Sequence, residues 1–399
     1  MQLRTRPLSG VPTAITCALS LLLSIFAASA HATGKNQQVY WAGYAFTGDQ
    51  ASMAATAPHS ARVLNAVGVE TINKALSRNL RQQPPKHLEL IDQPIAMLDG
   101  STSATVLAAA LDRELVSIEP IGRQYKLLVE VAFQALFFDF RERQVVASLP
   151  ITLQRIDLRD NRPIDSEIDA IVAELLTGGS ATNLPRVLAG TLESARLPDA
   201  SMRRLQVVDV QLSEGVVAKL PAEHWRTLLP PVLAHELSKA IAANTGIALL
   251  PPSAGQAIGG AMAARFADGR VYQLKIPEPD YAIALSVDAL KEGVISETPA
   301  LKTWLFGAFF TINAREPLSG KIYFDQPLRK GASKVVPATQ TEVDLWSARY
   351  ETLLAGLDAF AGAAADRPES GKWLDEQKPG GRALQQQTKS LQELIQSCR

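Results

Sequence analysis

Ala234-His235-Glu236-Leu237-Ser238-Lys239 opens as a zinc-protease helix does, with a histidine beside a glutamate. That chemistry needs a second histidine one helical turn on, so that two imidazoles share the metal. Lys239 stands in that place, and an ammonium is a poor zinc ligand. His224 lies upstream of Pro230-Pro231 and falls on another face. The chain has only five histidines, so the run reads as a helix surface and no metal is expected. Gly255-Gln256-Ala257-Ile258-Gly259-Gly260 has the glycines of a phosphate loop but no following Lys-Ser/Thr, and reads as a small-residue turn. Ser-His-Asp chemistry places its serine on a sharp glycine-flanked turn, and no Gly-x-Ser-x-Gly occurs. Asp139, Glu142, Asp157 and Asp160 cluster in sequence, and paired carboxylates do acid–base work when burial splits their pKa values. Arg141, Arg143, Arg155 and Arg159 interleave with them, which favours solvated strand ends. No catalytic residue and no cofactor follow from these patterns.

Two short runs remain as docking candidates. Pro277-Glu278-Pro279-Asp280-Tyr281 uses two prolines to fix the backbone and hold Glu278 and Asp280 rigidly ahead of a β-type run. Its alternative reading is a stiff lead-in to a strand. Tyr40, Trp41, Tyr44 and Phe46 form an aromatic run at strand spacing, with Tyr40, Trp41 and Tyr44 as the partner-facing candidates. Alternation sends some of them to each face of a sheet.

The elements that must position these residues are read from periodicity. Residues 39–46 alternate and read as a strand, and 60–82 carry Val63, Leu64, Val67, Ile72, Leu76 and Leu80 at helical spacing. Residues 88–91 read as a short strand and 105–115 as a helix. Residues 125–140 and 145–153 are β-type runs joined by a polar turn, a β-hairpin. Residues 164–176 are a helix closed by Gly178-Gly179. In the second half, 205–210 read as a strand, 228–243 as a helix and 247–250 as a strand. Residues 281–287 and 305–312 are paired β-runs, 321–324 an edge strand and 343–360 a helix. Each half runs strand, helix, short strand, connection, hairpin, helix, which predicts an internal duplication. The expected fold is α/β (α+β): two tandem modules, each with a small mixed sheet, a β-hairpin and packed helices. The expected bounds are 1–30 for an export signal, 39–179 and 205–362 for the modules, 180–204 for a linker, and 363–399 for a polar, partly disordered tail with a short polar helix over 384–397.

The address comes from residues 1–30. Arg4 and Arg6 precede an apolar run over 14–28, and Ala28-Ser29-Ala30 has the small-x-small form of a cleavage site. The run falls short of the roughly 20 apolar residues a spanning helix needs. Cys17 lies too early in it to be a lipid-attachment site. After cleavage Cys398 is the one cysteine left, so no intramolecular disulfide is expected; an exposed tail thiol would be open to intermolecular pairing. Loss of Arg4 and Arg6 leaves 38 basic against 40 acidic residues, which excludes nucleic acid as a partner on charge grounds. Hydrophobic residues make up 47% of the chain, enough for substantial cores.

Helix, short strand, then Tyr125-Lys126-Leu127-Leu128-Val129, a hairpin, and a strand carrying Val145-Val146-Ala147-Ser148 is a pattern that resembles the amino-terminal domain of the Tol-system propeller proteins of the TolB type. It is also similar to the curli-export lipoproteins of the CsgG type and to the penicillin-binding-protein activator lipoproteins. The resemblance covers 63–90 with 124–148, and more loosely 232–250 with 280–324. It implies a compact sheet with helices on one face, used to dock envelope partners. This chain departs from the pattern in having neither a lipobox nor propeller repeats.

Together these readings predict a non-enzymatic, periplasmic or outer-membrane-associated protein that binds or helps assemble other envelope components. It would have no spanning segment once the signal is removed and would be compatible with peripheral membrane attachment. The alternatives are an exported hydrolase with an unconventional carboxylate site, and a small-ligand binding protein using the cleft between modules.

Overall fold

The computed structural model describes residues 36–399 except 49, 94, 99–102, 200–201, 253–260, 267–268, 341–342 and 378–380. The export-signal reading over 1–30, with Arg4, Arg6 and Cys17, and the glycine loop at 255–260 lie outside the described residues. The architecture is α+β, with two mixed sheets. Residues 37–399 form one compact unit.

The first sheet takes β1 (Gln37–Thr47), β2 (Leu88–Ile91), β3 (Thr105–Ile121), β4 (Gln124–Asp139) and β5 (Gln144–Arg159) from the first half. The second half contributes β6 (Leu205–Leu212), β7 (Ala261–Phe266), β8 (Val271–Lys275), β9 (Tyr281–Glu297), β10 (Leu301–Arg315) and β11 (Ile322–Pro337). Sheet order is β2-β1-β3-β4-β5-β8-β7, and β7 returns to pair with β1, so six of these strands close a ring. The interior is filled by small and aromatic side chains, among them Ala45, Ala108, Ala110, Phe138, Phe266 and Leu274. Alanines from β1 and β3 permit tight closure, since interior volume in a small barrel is shared among side chains.

Residues 105–115, which read as a helix, are the first part of β3. The reason is burial on both faces: Val106, Leu107, Ala108, Ala109, Ala110 and Leu111 are all fully buried. Even-numbered residues face the ring interior and odd-numbered ones the helix layer. A strand buried on both faces shows a continuous apolar run and no period of two.

That helix layer consists of α1 (Gln50–Thr56), α2 (Pro58–Val67), α3 (Val69–Gln82), α4 (Asp165–Thr177) and α5 (Leu184–Glu193). In α3, Ile72, Leu76 and Leu80 recur every four residues and are buried against the sheet. Helix α5 occupies the stretch read as a linker and buries Leu184, Leu188 and Leu192 in the same core. Gly43 sits where β1 shifts register against β3, with φ of +82°. An added Cβ there would lie 2.6 Å from Asn73 Oδ1, the atom that accepts the Tyr44 amide at 2.7 Å, so glycine is required.

The second sheet runs β11-β10-β9-β6. Its connectivity repeats that of β1, β3, β4 and β5: a first strand, helices, then a three-stranded antiparallel meander whose leading strand lies parallel to the first. Each first strand carries one register shift, between Trp41 and Gly43 in β1 and between Val207 and Asp209 in β6. This sheet packs on α6 (Glu214–Val217), α7 (Trp225–Thr245) and α8 (Leu345–Ala364). Residues 247–250, read as a strand, make the bridge of Leu249 to Ser148 and donate the Leu250 amide to the Leu205 carbonyl without forming a strand.

The tail holds the helix expected over 384–397, but that helix is buried along one face and a second helix precedes it. Residues after 363 contain α9 (Ser370–Glu376) and α10 (Gly381–Ser397). Trp373, Leu384, Leu391, Leu394 and Ile395 are buried in the core of the second sheet. The apolar residues of α10 fall on one face among glutamines and lysine, so composition averaged along the segment conceals them. Cys398 is 6% exposed rather than open to solvent, and burial pushes its thiol pKa up to about 12. A thiol-specific reagent is therefore expected to leave native Cys398 unlabelled at neutral pH and to label it once urea unfolds the chain. Full labelling of native protein would contradict this burial.

Candidate functional site

The residues singled out for docking serve mostly internal roles. Asp280 accepts hydrogen bonds from Arg203 Nη1 at 2.8 Å and from the Arg204 amide at 2.9 Å. Partial burial opposes ionisation, but these bonds prevail and hold the carboxyl below its usual range. Tyr281 is buried, its ring edge-on to Tyr323 and its hydroxyl accepting from Ser397 Oγ at 3.3 Å. Trp41 is buried and donates its indole N–H to Ser77 Oγ at 3.1 Å. Tyr44 is buried edge-on to Phe133. Tyr40 is half-buried against the ring core, and Glu278 alone of the six is exposed. The run at 277–281 is thus a fastener joining β9 to β6 and α10, and β1 sends its aromatics into two cores.

The His235-Glu236 pair lies on the buried side of α7, against β3, β4 and β5. His235 is fully buried; its Nε2 donates to the Ile151 carbonyl at 3.2 Å, and Nδ1 lies 3.8 Å from Asp112 Oδ2. Burial first, then the charges of Arg113 and Lys239, keep its pKa well below the ordinary histidine value, so the ring is neutral. Glu236 accepts from Thr152 Oγ1 at 2.6 Å and pairs with Lys239. Across the seam, Arg113 lies 3.5 Å from Asp112 and 3.4 Å from Glu130. Asp112 is the bulged residue of β3, aimed out of the ladder where the register shifts between Leu111 and Arg113. Glu130 is 2% exposed; burial raises its pKa and the Arg113 charge opposes that rise. His235, Glu236 and Glu130 are buried while Asp112 and Arg113 reach the edge of the seam, an arrangement that suits clamping the two halves of the chain. Among the described residues, no group of three or more His, Cys, Asp or Glu side chains could hold a metal ion.

Beside the seam opens a cleft of about 490 Å³, with His59, Asp112, Arg113 and Glu114 on one wall and Leu228 and Pro231 on the other. Glu114 is committed: it accepts from the His59 amide at 3.1 Å and from the Ser60 amide and hydroxyl at 2.7 Å, capping α2. His59 and Arg62 in turn clasp Asp169 on α4, at 2.7 and 2.9 Å. The acidic cluster at the hairpin is likewise in use. Asp157 is gripped by Arg155 and Arg159, each at 2.9 Å, and Asp139 accepts from Ser103 Oγ and the Glu142 amide.

The surface that sequence reading missed is the far end of β9, β10 and β11. These strands run beyond their helix cover, and every residue of 293–297 and 331–335 is exposed. Among the described residues, five of the twelve exposed large apolar side chains lie there: Val294, Ile295, Leu301, Leu305 and Val335. Such clustering marks an interaction surface, whereas scattered apolar residues need no explanation. Strand β11 is also the sheet edge. The Asp325 and Arg329 amides point off that edge to Gln387 and Gln377, so by alternation Gly331, Ser333 and Val335 present their backbone groups outward as well.

No protein-family model and no curated protein matches this chain. Among solved structures, it is similar to a minor lipoprotein from Acinetobacter baumannii, 12% identical over 42% of this chain and 92% of that chain, with TM-score 0.20. It is similar to a neuraminyllactose-binding hemagglutinin homolog from Helicobacter pylori, 11% identical over 50% and 93%, with TM-score 0.24. A third is the rare lipoprotein B from Shewanella oneidensis, 15% identical over 43% and 96%, with TM-score 0.18. Two of these three neighbours are bacterial lipoproteins, and at TM-scores this low the likeness says nothing of what this chain binds. No helix among the described residues is long and apolar enough to cross a membrane.

Proposed function

We propose that this protein is a non-catalytic component of the bacterial cell envelope that binds or helps assemble other envelope components through the projecting arm of β9, β10 and β11. The observation that carries the reading is the arm itself. It holds a cluster of exposed apolar side chains beside an uncovered sheet edge, and clustering of that kind marks an interaction surface. The polar constellations elsewhere support the same reading, because each is spent on capping, clasping or clamping. On this proposal residues 1–30 direct export, the two like-connected sheets descend from one duplicated unit, and the fold is kin to the TolB and CsgG type of docking domain.

A photocrosslinking residue at Val335 or Leu305 is expected to trap envelope components in cells of the source organism. The same residue at Leu158, an exposed apolar position on β5, is expected to trap none. Equal adducts at all three positions, or none at the arm, would remove the reading.

A second reading rests on the cleft beside Asp112 and Arg113, whose size lies within the roughly 300–1,000 Å³ of small-molecule sites. There a ligand specific to the native state would raise the unfolding midpoint, and Leu228→Trp, which fills the cleft, would abolish the rise.

A further inference from the structure

On the outer face of the arm lies a groove of about 460 Å³. Its walls are Ile295, Leu305 and Phe309, and Lys291 and Arg329 stand at one end. The register explains the assembly. Gly307 pairs with Lys291 on β9 and with Gly331 on β11, while Leu305 pairs with Gly293 and Phe309 with Arg329. Three glycines therefore share one face and leave the sheet backbone bare between the apolar walls.

Neither backbone conformation nor packing accounts for two of them. Gly293, Gly307 and Gly331 are all outside the left-handed region. A Cβ on Gly293 would meet nothing within 4 Å, and one on Gly331 would have the Phe306 carbonyl oxygen as its nearest neighbour at 3.8 Å. Glycine weakens a strand interior; Gly293 borders the bulge at Ile295, whereas Gly331 has no bulge beside it and leaves room for another molecule to approach the backbone.

The charges choose the occupant. Lys291 Nζ lies 5.1 Å from the Phe309 ring centroid, and neither Lys291 nor Arg329 has a carboxylate partner among the described residues. Arg329 Nη2 donates only to the Glu376 carbonyl. Of the two acids at the groove, Glu292 is held on the opposite face by Lys219 and Arg349, at 3.0 and 2.8 Å. Glu376 at the rim is left to offset Lys291 and Arg329, with Lys330 a third cation on the lining. The walls want an apolar body and the end wants a negative head.

We propose that this groove binds a single-chain anionic amphiphile, its carboxylate-type head between Lys291 and Arg329 and its chain across Gly307 and Gly293 against Phe309, Leu305 and Ile295. The proposal rests on the arm being a binding surface and names what that surface takes.

The test uses the full-length mature chain with palmitate below its micellar concentration, the uncharged palmitoyl alcohol as control, and vesicles of phosphatidylglycerol or phosphatidylcholine as separate arms. Palmitate is expected to bind saturably and the alcohol at least about tenfold more weakly, as loss of a charged contact predicts. Gly293→Val and Gly331→Val fill the groove and are expected to abolish binding while the thermal midpoint stays level or rises. Lys291→Gln should weaken binding about tenfold, and Glu376→Gln should tighten it. Binding to phosphatidylglycerol vesicles without binding to dispersed palmitate would mean surface adsorption and would overturn the groove. So would palmitate binding that survives both glycine substitutions, or no binding by the wild-type chain. Failure here with position-specific crosslinks at Val335 intact would remove the amphiphile and leave the docking role standing. Loss of both would remove the arm.

Discussion

Replacing Arg113 with methionine is expected to lower folding stability by about 3–5 kcal/mol at about pH 7, because the substitution strands Glu130 as an uncompensated buried charge. Glu130 is 2% exposed and Arg113 is its cationic neighbour at 3.4 Å, with Asp112 adding a second carboxylate to the same guanidinium. The penalty should shrink toward about pH 5. Burial raises the folded pKa of Glu130, so between its unfolded and folded values the native state binds more protons than the unfolded state, and stability falls as pH rises through that window. Without Arg113 the folded pKa climbs further and the slope steepens. Urea titrations of both chains at the two pH values measure it. A loss under about 1 kcal/mol at both would mean that the seam is hydrated and the pairing incidental.

Deleting residues 381–399 is expected to leave a chain that does not fold. Leu384, Leu391, Leu394 and Ile395 are each at most 4% exposed. At about 1.5–3 kcal/mol for each buried side chain, the helix brings roughly 6–12 kcal/mol of apolar burial. A whole domain is stable by only about 5–15 kcal/mol. The point variant Leu391→Ala, expected to cost about 2–5 kcal/mol, separates this packing from other effects of truncation. Soluble truncated protein with native circular dichroism and an unchanged urea midpoint would show the tail to be dispensable. The same reasoning bears on the two-module proposal. A fragment spanning 205–362 lacks Trp373 and the α10 residues of its own core and carries β7 and β8, which belong to the first sheet, so neither half as bounded from sequence holds a complete core.

Much of the fold was legible in the sequence. Periodicity gives the α3 stripe, while β4, α7 and α8, buried on more than one face, were legible from their composition and from the turns and prolines that bound them. Periodicity failed at β3, whose two buried faces erase the alternation, and that failure concealed the site chemistry too. Asp112 and Arg113 were placed in a helix, so the seam they form with Glu130 and His235 could not be seen. The docking residues misled for a related reason. Trp41 and Tyr44 enter the helix-side core and Tyr40 packs at the ring, because β1 is central to its sheet. The arm was missed because alternation lapses beyond residue 290, where Gly293 and the bulged Ile295 interrupt β9.

The closed ring also sets a timetable. Strand β1 is the first described element to leave the ribosome, and β7, which pairs with it through Ala45 and Phe266, is separated from it by most of the chain. Contacts so distant in sequence form late and cost loop-closure entropy before they return any stability. Until residue 266 has been made, Ala45, Phe46 and Thr47 of β1 lack their last neighbour, and the ring stays open. A nascent chain of this design cannot complete its first sheet early. It would remain loosely folded through most of synthesis, the condition in which a polypeptide can still be threaded through a narrow passage or engaged by a chaperone.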